Sequence, residues 1–322
     1  MSFLSDAAEV LKRGLATQRR RASRARSGAR LRSKGGRQPM PMELGSYEVA
    51  GVIGGEGDLV LLKAWDQAAA RWVMLTAMPL ENGLDASERL ERMAHLHRVA
   101  DPLAAVRHEN LLEVYGLEYH QGWGCVVAEY LEGARLAELL DAGETLAPSQ
   151  VAPLGAALAS VIAAAEEAGI GSIDLDPAEV VLTTTGKIKV CSLCRRGKAS
   201  ERGVSSGELK ASGLCTLGAL LYQCLTGRRP LLQAAEAGST RRAVTPISAF
   251  RPSVPPDLER IIMGLMIFNT EEVRLSAPVV FGGLERVVEQ HGWTWQVPNT
   301  IARSESTQCP PPEKGDDRAI PA

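Results

Sequence analysis

The chain has few aromatic residues: Phe, Trp and Tyr together make up 4% of its 322 residues. Hydrophobic residues reach 45%, so a large core is available, but it must be mainly aliphatic. No apolar run approaches the roughly 20 residues that span a bilayer. Asp6 and Glu9 interrupt the apolar part of the N-terminus, which excludes the continuous segment of a secretory signal. We therefore expect a cytoplasmic protein with no transmembrane segment.

The six cysteines also lack the spacing of a zinc site. Cys191 and Cys194 form one C-x-x-C pair, but the second pair that would complete a structural zinc site is missing. Because cysteine is among the residue types most often buried, we expect reduced, buried thiols. A redox or metal pair at Cys191 and Cys194 stays open as the alternative.

Basic residues are concentrated at the N-terminus. Residues 1–40 carry eleven Lys and Arg against two acidic residues, a formal charge of +9, and the rest of the chain sums to −11. Apolar residues at helical spacing predict a short amphipathic helix over 3–16, but the like-charged run that follows cannot fold alone. We expect 1–45 to be a basic, disordered arm. It is either a solvated linker, or residues 12–37 make weak contact with nucleic acid or an anionic membrane.

The next part of the chain has strand-like patterns. Short apolar and β-branched runs are joined by connections of hairpin length, and one helix over 85–99 interrupts them. This order is unlike an alternating βα fold. The predicted strands are 47–53, 59–65, 71–76, 111–118 and 123–129.

After about residue 134 the pattern becomes helical. Apolar residues repeat at helical spacing over 150–168, 209–225 and 258–266. Asp257 is the expected N-cap of the last of these helices. The tail over 297–322 is rich in Pro, Ser and charge, which predicts disorder.

The run from Ile170 to Leu182, IGSIDLDPAEVVL, carries the most specific motif. It resembles the catalytic loop HRDLKPENILL of the eukaryotic-like Ser/Thr protein kinase family, with Asp174 at the position of the catalytic Asp. Further landmarks follow in the family's order over roughly 46–290. They are the glycine-rich start Ile53-Gly-Gly-Glu-Gly, the run beginning His108-Glu-Asn, the hinge-like run Val126–Gly133 and the large-lobe run Leu217–Pro230.

The resemblance implies an α+β fold of the protein-kinase-like, two-lobed type. A small β-rich N-lobe with the hinge would occupy 46–132, and a helical C-lobe would occupy 133–296. The run Ala199-Ser-Glu201 resembles the end of an activation segment, but it follows Cys194 too closely for a substrate-docking loop. Glu201 would then pair with Arg274 as a structural ion pair.

Most groups that act on ATP in this family are replaced. Thr76 stands where a strand Lys holds the α- and β-phosphates, so neither Glu91 nor Glu88 of the following helix has its ion-pair partner. Glu179 replaces the metal-binding Asn, and Asp176 replaces a Lys, which reverses the local charge. At the position of the D-F-G motif the chain reads Ser-Leu-Cys over 192–194, without a carboxylate for Mg²⁺.

A degenerate nucleotide cleft is what the resemblance leaves. Glu56 places a negative charge at a loop position that the family keeps as bare backbone facing phosphate. Met74, together with Leu61 and Val181, would narrow the adenine site. The candidate cofactor-binding residues are Gly54, Gly57, Thr76, Glu129 and Val181.

We interpret the chain as a degenerate member of this family, a pseudokinase that acts as a regulatory or scaffolding module on protein partners and needs no cofactor. One rival interpretation is an active, atypical Ser/Thr kinase that uses ATP, with Asp174 as catalytic base and Mg²⁺ on Glu179 and Asp176. Lys63 would then substitute for the missing Lys. A second is binding of nucleic acid or anionic membrane through the basic arm, and a third is nucleotide binding without catalysis.

Overall fold

The computed structural model describes residues 41–81, 84–170, 175–191, 206–230, 244–266 and 275–302. The chain forms two compact units. Among the described residues, the first unit contains 41–93 and 118–127, and the second contains 94–117 and 128–302 with the gaps given above. The basic arm up to residue 40, with its predicted helix, lies outside the described ranges.

Most of the first unit is a six-stranded sheet with the strand order β1-β2-β3-β4-β6-β5. All five predicted strands are confirmed. The short strand β1 is an addition at the end of the segment predicted to be disordered, and it is ordered because Leu44 is fully buried. The strands are β1 (Glu43–Leu44), β2 (Tyr47–Glu56), β3 (Leu59–Asp66), β4 (Arg71–Pro79), β5 (Val114–His120) and β6 (Trp123–Glu129).

The sheet curls so that side chains of β2 and β5 come into contact. Strand β2 lies near one edge and β5 forms the other, yet the hydroxyl of Tyr47 donates to Oε1 of Glu118 at 2.9 Å. Nε2 of His120 lies 2.6 Å from the second carboxylate oxygen of Glu118. Gly45, at φ +63°, is needed beside this cluster, because a Cβ there would come within 2.6 Å of the His120 ring. The curled sheet buries Leu62, Ala64, Val73 and Leu75.

Helix α1 (Ala86–Ala105) confirms the predicted helix and extends it. It begins with a capping box, in which Oδ1 of Asp85 accepts from the backbone N–H of Glu88 and the Glu88 carboxylate accepts from that of Asp85. Leu96, Ala100 and Leu103 are its buried residues.

The second unit combines a three-stranded antiparallel sheet with helices. The helix α3 is its centre: ten of its residues are buried, and it packs against α4 and α6. The strands are β7 (Gly133–Arg135), β8 (Val180–Thr183) and β9 (Ile188–Val190). The helices are α2 (Leu136–Asp141), α3 (Pro148–Glu167), α4 (Ser206–Thr226), α5 (Pro256–Met266), α6 (Ala277–His291) and α7 (Asn299–Ala302).

Three sequence predictions need correction in this unit. The sequence predicted no apolar run of membrane-spanning length, but α3 is long and apolar enough to cross a membrane by length and composition alone. Of its apolar stretch, 56% is buried inside the protein, and the core helix of a soluble protein meets the same two criteria. Helix α5 begins at Pro256, so Asp257 lies in its first turn and is not the N-cap. Helix α7 lies in the segment predicted to be disordered and is anchored by Ile301, which is 2% exposed.

Candidate functional site

One face of the first unit's sheet carries several residues of the predicted nucleotide site. Leu61 of β3 lies opposite both Gly54 of β2 and Thr76 of β4, and Met74 lies opposite Lys63. Directly opposed residues of antiparallel strands share a face, so these five residues are grouped. Thr76 is 8% exposed, and its hydroxyl supplies no positive charge to this face.

Lys63 does not take the place of the missing strand Lys. Its ammonium group lies 4.5 Å from the ring centroid of Trp72, a cation–π contact. Trp72 belongs to β4 and lies opposite Trp65, whereas Thr76 lies opposite Leu61, so Trp72 and Thr76 are on either side of the Lys63–Met74 pair. The charge of Lys63 is therefore directed away from Thr76.

The glycine-rich run forms the tight β2–β3 turn, with Gly57 and Asp58 as its two central residues. Gly57 has φ +62°, which favours glycine. Gly55, which sequence reasoning did not single out, is the most constrained, because an added Cβ would lie 2.5 Å from the carbonyl oxygen of Leu59. A Cβ on Gly54 would meet nothing nearer than 3.5 Å. The Glu56 side chain is outside the described parts of the chain.

Neither glutamate proposed for the kinase-type ion pair reaches this face by a hydrogen bond or ion pair that the structure resolves. Glu88 is exposed and caps α1, and Glu91 is exposed. Arg92 of α1 does contact the strands and their connecting turn, and the sequence analysis did not identify it. It donates to Oδ2 of Asp58 at 2.6 Å and to the carbonyl oxygen of Pro79 at 2.7 Å.

In the second unit, the two metal-ligand candidates lie at the ends of a single 3-10 turn, Pro177–Glu179. Oδ1 of Asp176 accepts from the backbone N–H of Ala178 at 2.8 Å and thereby caps the turn. Asp174 falls outside the described residues, as do the D-F-G position, Glu201 and Arg274. Over the described ranges, no three His, Cys, Asp or Glu residues are grouped in a way that could hold a metal ion.

Asp176 also contributes to the wall of a cavity of about 370 Å³ in the second unit. Its lining combines two carboxylates, one amide and one guanidinium with apolar side chains. The lining residues are Ala137, Leu140, Asp141, Leu175, Asp176, Pro177, Gln223 and Arg229.

Glu129 and Val181, the remaining predicted cleft residues, belong to the second unit. Oε1 of Glu129 accepts from Nζ of Lys189 at 2.5 Å and from the backbone N–H of Glu113 at 2.9 Å. Val181 lies opposite Lys189 in the β8–β9 pair and is partly exposed. The carboxylate of Glu129 is therefore committed to a buried cation.

The motif beginning at His108 fixes the position of β9. The side-chain amide of Asn110 donates to the carbonyl oxygen of Ile188 at 3.0 Å, and its backbone oxygen accepts from Val190 at 2.7 Å. Nδ1 of His108 accepts from the Asn110 backbone at 3.1 Å. Burial lowers the pKa of His108, which favours the neutral ring that this acceptor role requires.

Cys191 is not set up as a reactive thiol. Burial, followed by the nearby charge of Glu179, raises its pKa to about 12. A nucleophilic cysteine needs a lowered pKa. Its proposed partner, Cys194, lies outside the described residues.

Comparison with known proteins gave no matching protein-family model. Among curated proteins, the chain is 25% identical over 252 residues to the probable serine/threonine-protein kinase SCO3848 of Streptomyces coelicolor, a match that covers 69% of the chain. It is 27% identical over 242 residues to the serine/threonine-protein kinase PrkC of Bacillus subtilis, which covers 68% of the chain. Each match spans 37% of the length of the curated relative.

Among solved structures, the chain is similar to the crystal structure of the Mycobacterium tuberculosis PknI kinase domain. The TM-score is 0.55 at 16% sequence identity, over 76% of this chain and 96% of that one. The α+β, kinase-like fold predicted from the sequence is therefore confirmed.

Proposed function

Because the chain is a relative of the bacterial Ser/Thr protein kinases and has a kinase-like fold, we propose that it is a pseudokinase that acts as a regulatory or scaffolding module on protein partners. The observation that carries this proposal is the buried Thr76 at the strand position of the phosphate-binding Lys, with the charge of Lys63 directed at Trp72. The relatives are much longer than this chain, so their activity is not transferred to it.

Phosphoryl transfer depends almost entirely on positioning and electrostatic stabilisation. A Lys-to-Thr replacement removes the charge that holds the α- and β-phosphates. Asp176 adds a negative charge where the family has a Lys, and one of its oxygens is held by the Ala178 backbone. The first unit thus lacks a positive charge at Thr76, the second gains a negative charge at Asp176, and each change by itself disfavours binding of a polyphosphate.

The test is a thermal-shift titration of the full chain with ATP, with and without Mg²⁺. A ligand at 100 times its Kd stabilises a protein by about 2.7 kcal/mol, which gives a visible shift. We expect no shift at millimolar ATP. The variant Thr76→Lys restores the positive charge at this position. In a phosphotransfer assay we expect it to remain inactive, because the negative charge of Asp176 is still present.

A Mg²⁺-dependent shift, together with autophosphorylation that Asp174→Asn abolishes, would instead establish the active, atypical kinase. ATP binding without phosphotransfer would establish a nucleotide-dependent switch. Either result would overturn the proposal as stated.

The charge distribution favours a second role for the N-terminal arm. Residues 1–40 carry a formal charge of +9, and we propose that residues 12–37 attach the chain weakly to nucleic acid or an anionic membrane in the cytoplasm. Such binding falls steeply with salt. Salt-dependent binding to duplex DNA or to anionic vesicles that disappears on deletion of 1–40 supports this role, and equal binding by the deleted chain contradicts it.

A further inference from the structure

Arg92 connects three segments of the first unit. From α1, its Nη2 donates to Oδ2 of Asp58 at 2.6 Å, and its Nη1 donates to the carbonyl oxygen of Pro79 at 2.7 Å. Asp58 is a central residue of the β2–β3 turn, and Pro79 is the last residue of β4. One guanidinium therefore fixes the helix, the turn and the end of a central strand relative to one another.

The geometry of these contacts gives them more weight than an ordinary surface ion pair. The Arg92 side chain is 22% exposed, so it is largely withdrawn from water, while Asp58 is 48% exposed. Two separate nitrogens of a rigid, planar group are used, and the bond to Asp58 joins opposite charges. Because both terminal nitrogens of Arg92 are hydrogen-bonded, its side chain has few alternative rotamers.

The chain already connects β4 to α1 through residues 80–85, so the bond to Pro79 reinforces a covalent neighbour. The bond to Asp58 is different, because 34 residues separate it from Arg92. This bond joins the β2–β3 turn to α1 across a long stretch of the chain.

In an active kinase a strand Lys and a helix Glu tie the corresponding helix to the sheet. Here Thr76 cannot form that pair, Glu88 caps α1 and Glu91 is exposed. We propose that Arg92 is a positioning residue that replaces this tie and holds the β2–β3 turn against α1 without nucleotide. The proposal rests on the pseudokinase function and specifies how the first unit keeps one conformation for its partners.

The test is hydrogen exchange of the full chain followed by mass spectrometry. In Arg92→Met and in Asp58→Asn, we expect amides of the β2–β3 hairpin, residues 52–62, to exchange about tenfold faster than in the unchanged protein, the effect of losing one charged hydrogen bond. Peptides from α3 should exchange as before, which shows that the fold is retained. Combining the two substitutions should add little to the effect of Arg92→Met alone, because that substitution already removes the bond to Asp58.

Arg89→Met is the matched control, since Arg89 is an exposed arginine on the same helix. Arg92→Lys keeps the positive charge but replaces the planar guanidinium by a single ammonium group. We expect amides of the hairpin to exchange at an intermediate rate in this variant. Hairpin exchange in Arg92→Met and Asp58→Asn equal to that in Arg89→Met would overturn the proposal. The readout needs no ATP: hairpin protection by ATP in the unchanged protein would refute the pseudokinase function, whereas the Arg92 comparison tests the tie alone.

Discussion

Nζ of Lys189 lies 2.5 Å from Oε1 of Glu129 and donates to the carbonyl oxygen of Leu111 at 3.1 Å. The Lys189 side chain is 8% exposed and that of Glu129 is 20% exposed. A kinase-type interpretation of the sequence assigns Glu129 to a nucleotide site. In the fold its carboxylate neutralises a buried lysine, which is a structural role.

Removing Glu129 should therefore destabilise the protein strongly. We expect Glu129→Ala to lower the free energy of unfolding by about 3 kcal/mol, because the charge of Lys189 is left buried and unpaired. Urea unfolding followed by circular dichroism measures the difference. Glu167→Ala, at an exposed position near the end of α3, is the control. Adding Lys189→Met to Glu129→Ala should recover part of the lost free energy of unfolding, because it removes the unpaired charge. Equal stability of Glu129→Ala and the control contradicts a structural pair.

The hydrogen bond between Tyr47 and Glu118 should make the stability of the protein depend on pH in alkaline solution. Burial, followed by the hydrogen bond to Glu118, raises the pKa of Tyr47 above its ordinary value of 10.0. A raised pKa gives stability that is complete below the unfolded value and is lost as the pH rises through the folded one. Tyr47→Phe should cost about 1 kcal/mol at neutral pH and should show a shallower loss of stability above about pH 10. Parallel pH profiles for the two proteins would contradict this role of Tyr47.

Four described cysteines should resist modification in the native state. Burial raises the pKa of Cys125, Cys191 and Cys224 to about 12 and that of Cys215 to about 11. For the first three, a pKa raised from 9.0 lowers the thiolate fraction near neutral pH by about 1,000-fold. In a Cys194→Ser/Cys309→Ser background, a chromogenic disulfide reagent should react slowly with the folded protein and rapidly after unfolding. Cys125 and Cys224 are buried and Cys191 and Cys215 are partly exposed, and rapid reaction of even one thiol in the folded protein contradicts these raised pKa values.

Two glycines provide a matched test of the packing around α3. A Cβ on Gly155 would lie 2.8 Å from Cδ1 of Leu221 and 3.1 Å from Cδ1 of Leu284, whereas a Cβ on Gly282 of α6 would meet nothing within 4 Å. We expect Gly155→Ala to cost about 1–3 kcal/mol through overpacking. Gly282→Ala should be neutral or stabilising by up to about 1 kcal/mol, because alanine favours helix. Thermal unfolding of both variants gives the comparison, and equal effects would contradict close packing at Gly155.

Local pattern was sufficient to predict the strands of the first unit and the helices α3, α4 and α5 of the second, whereas α6 (Ala277–His291) was not predicted. In β2, β3 and β4 each strand is adjacent in sequence to its hairpin partner, so short-range signals are enough to define it. The assignment of Thr76 to the position of the phosphate-binding Lys stays a prediction from the order of the motifs; the structure places Thr76 in β4, opposite Leu61.

The contacts that fix side chains across long sequence separations could not be predicted. Lys189 and Glu129 are 60 residues apart, and Asp58 and Arg92 are 34 apart. A Lys in a three-residue strand that is buried throughout is the one signal that a buried partner was needed, but it does not identify Glu129. Helix α7 was missed because one anchored residue, Ile301, outweighs the polar composition around it.

Helix α3 has a consequence for synthesis of the chain. It packs against α6, more than a hundred residues further along the chain, and it is apolar enough to resemble a membrane span. Until residues 277–291 have left the ribosome, the surface of α3 that packs against α6 is exposed to solvent. Exposed apolar segments of a newly made chain bind chaperones and aggregate. Protein that terminates before α6 should be recovered as insoluble material, even though every residue of the first unit has been made.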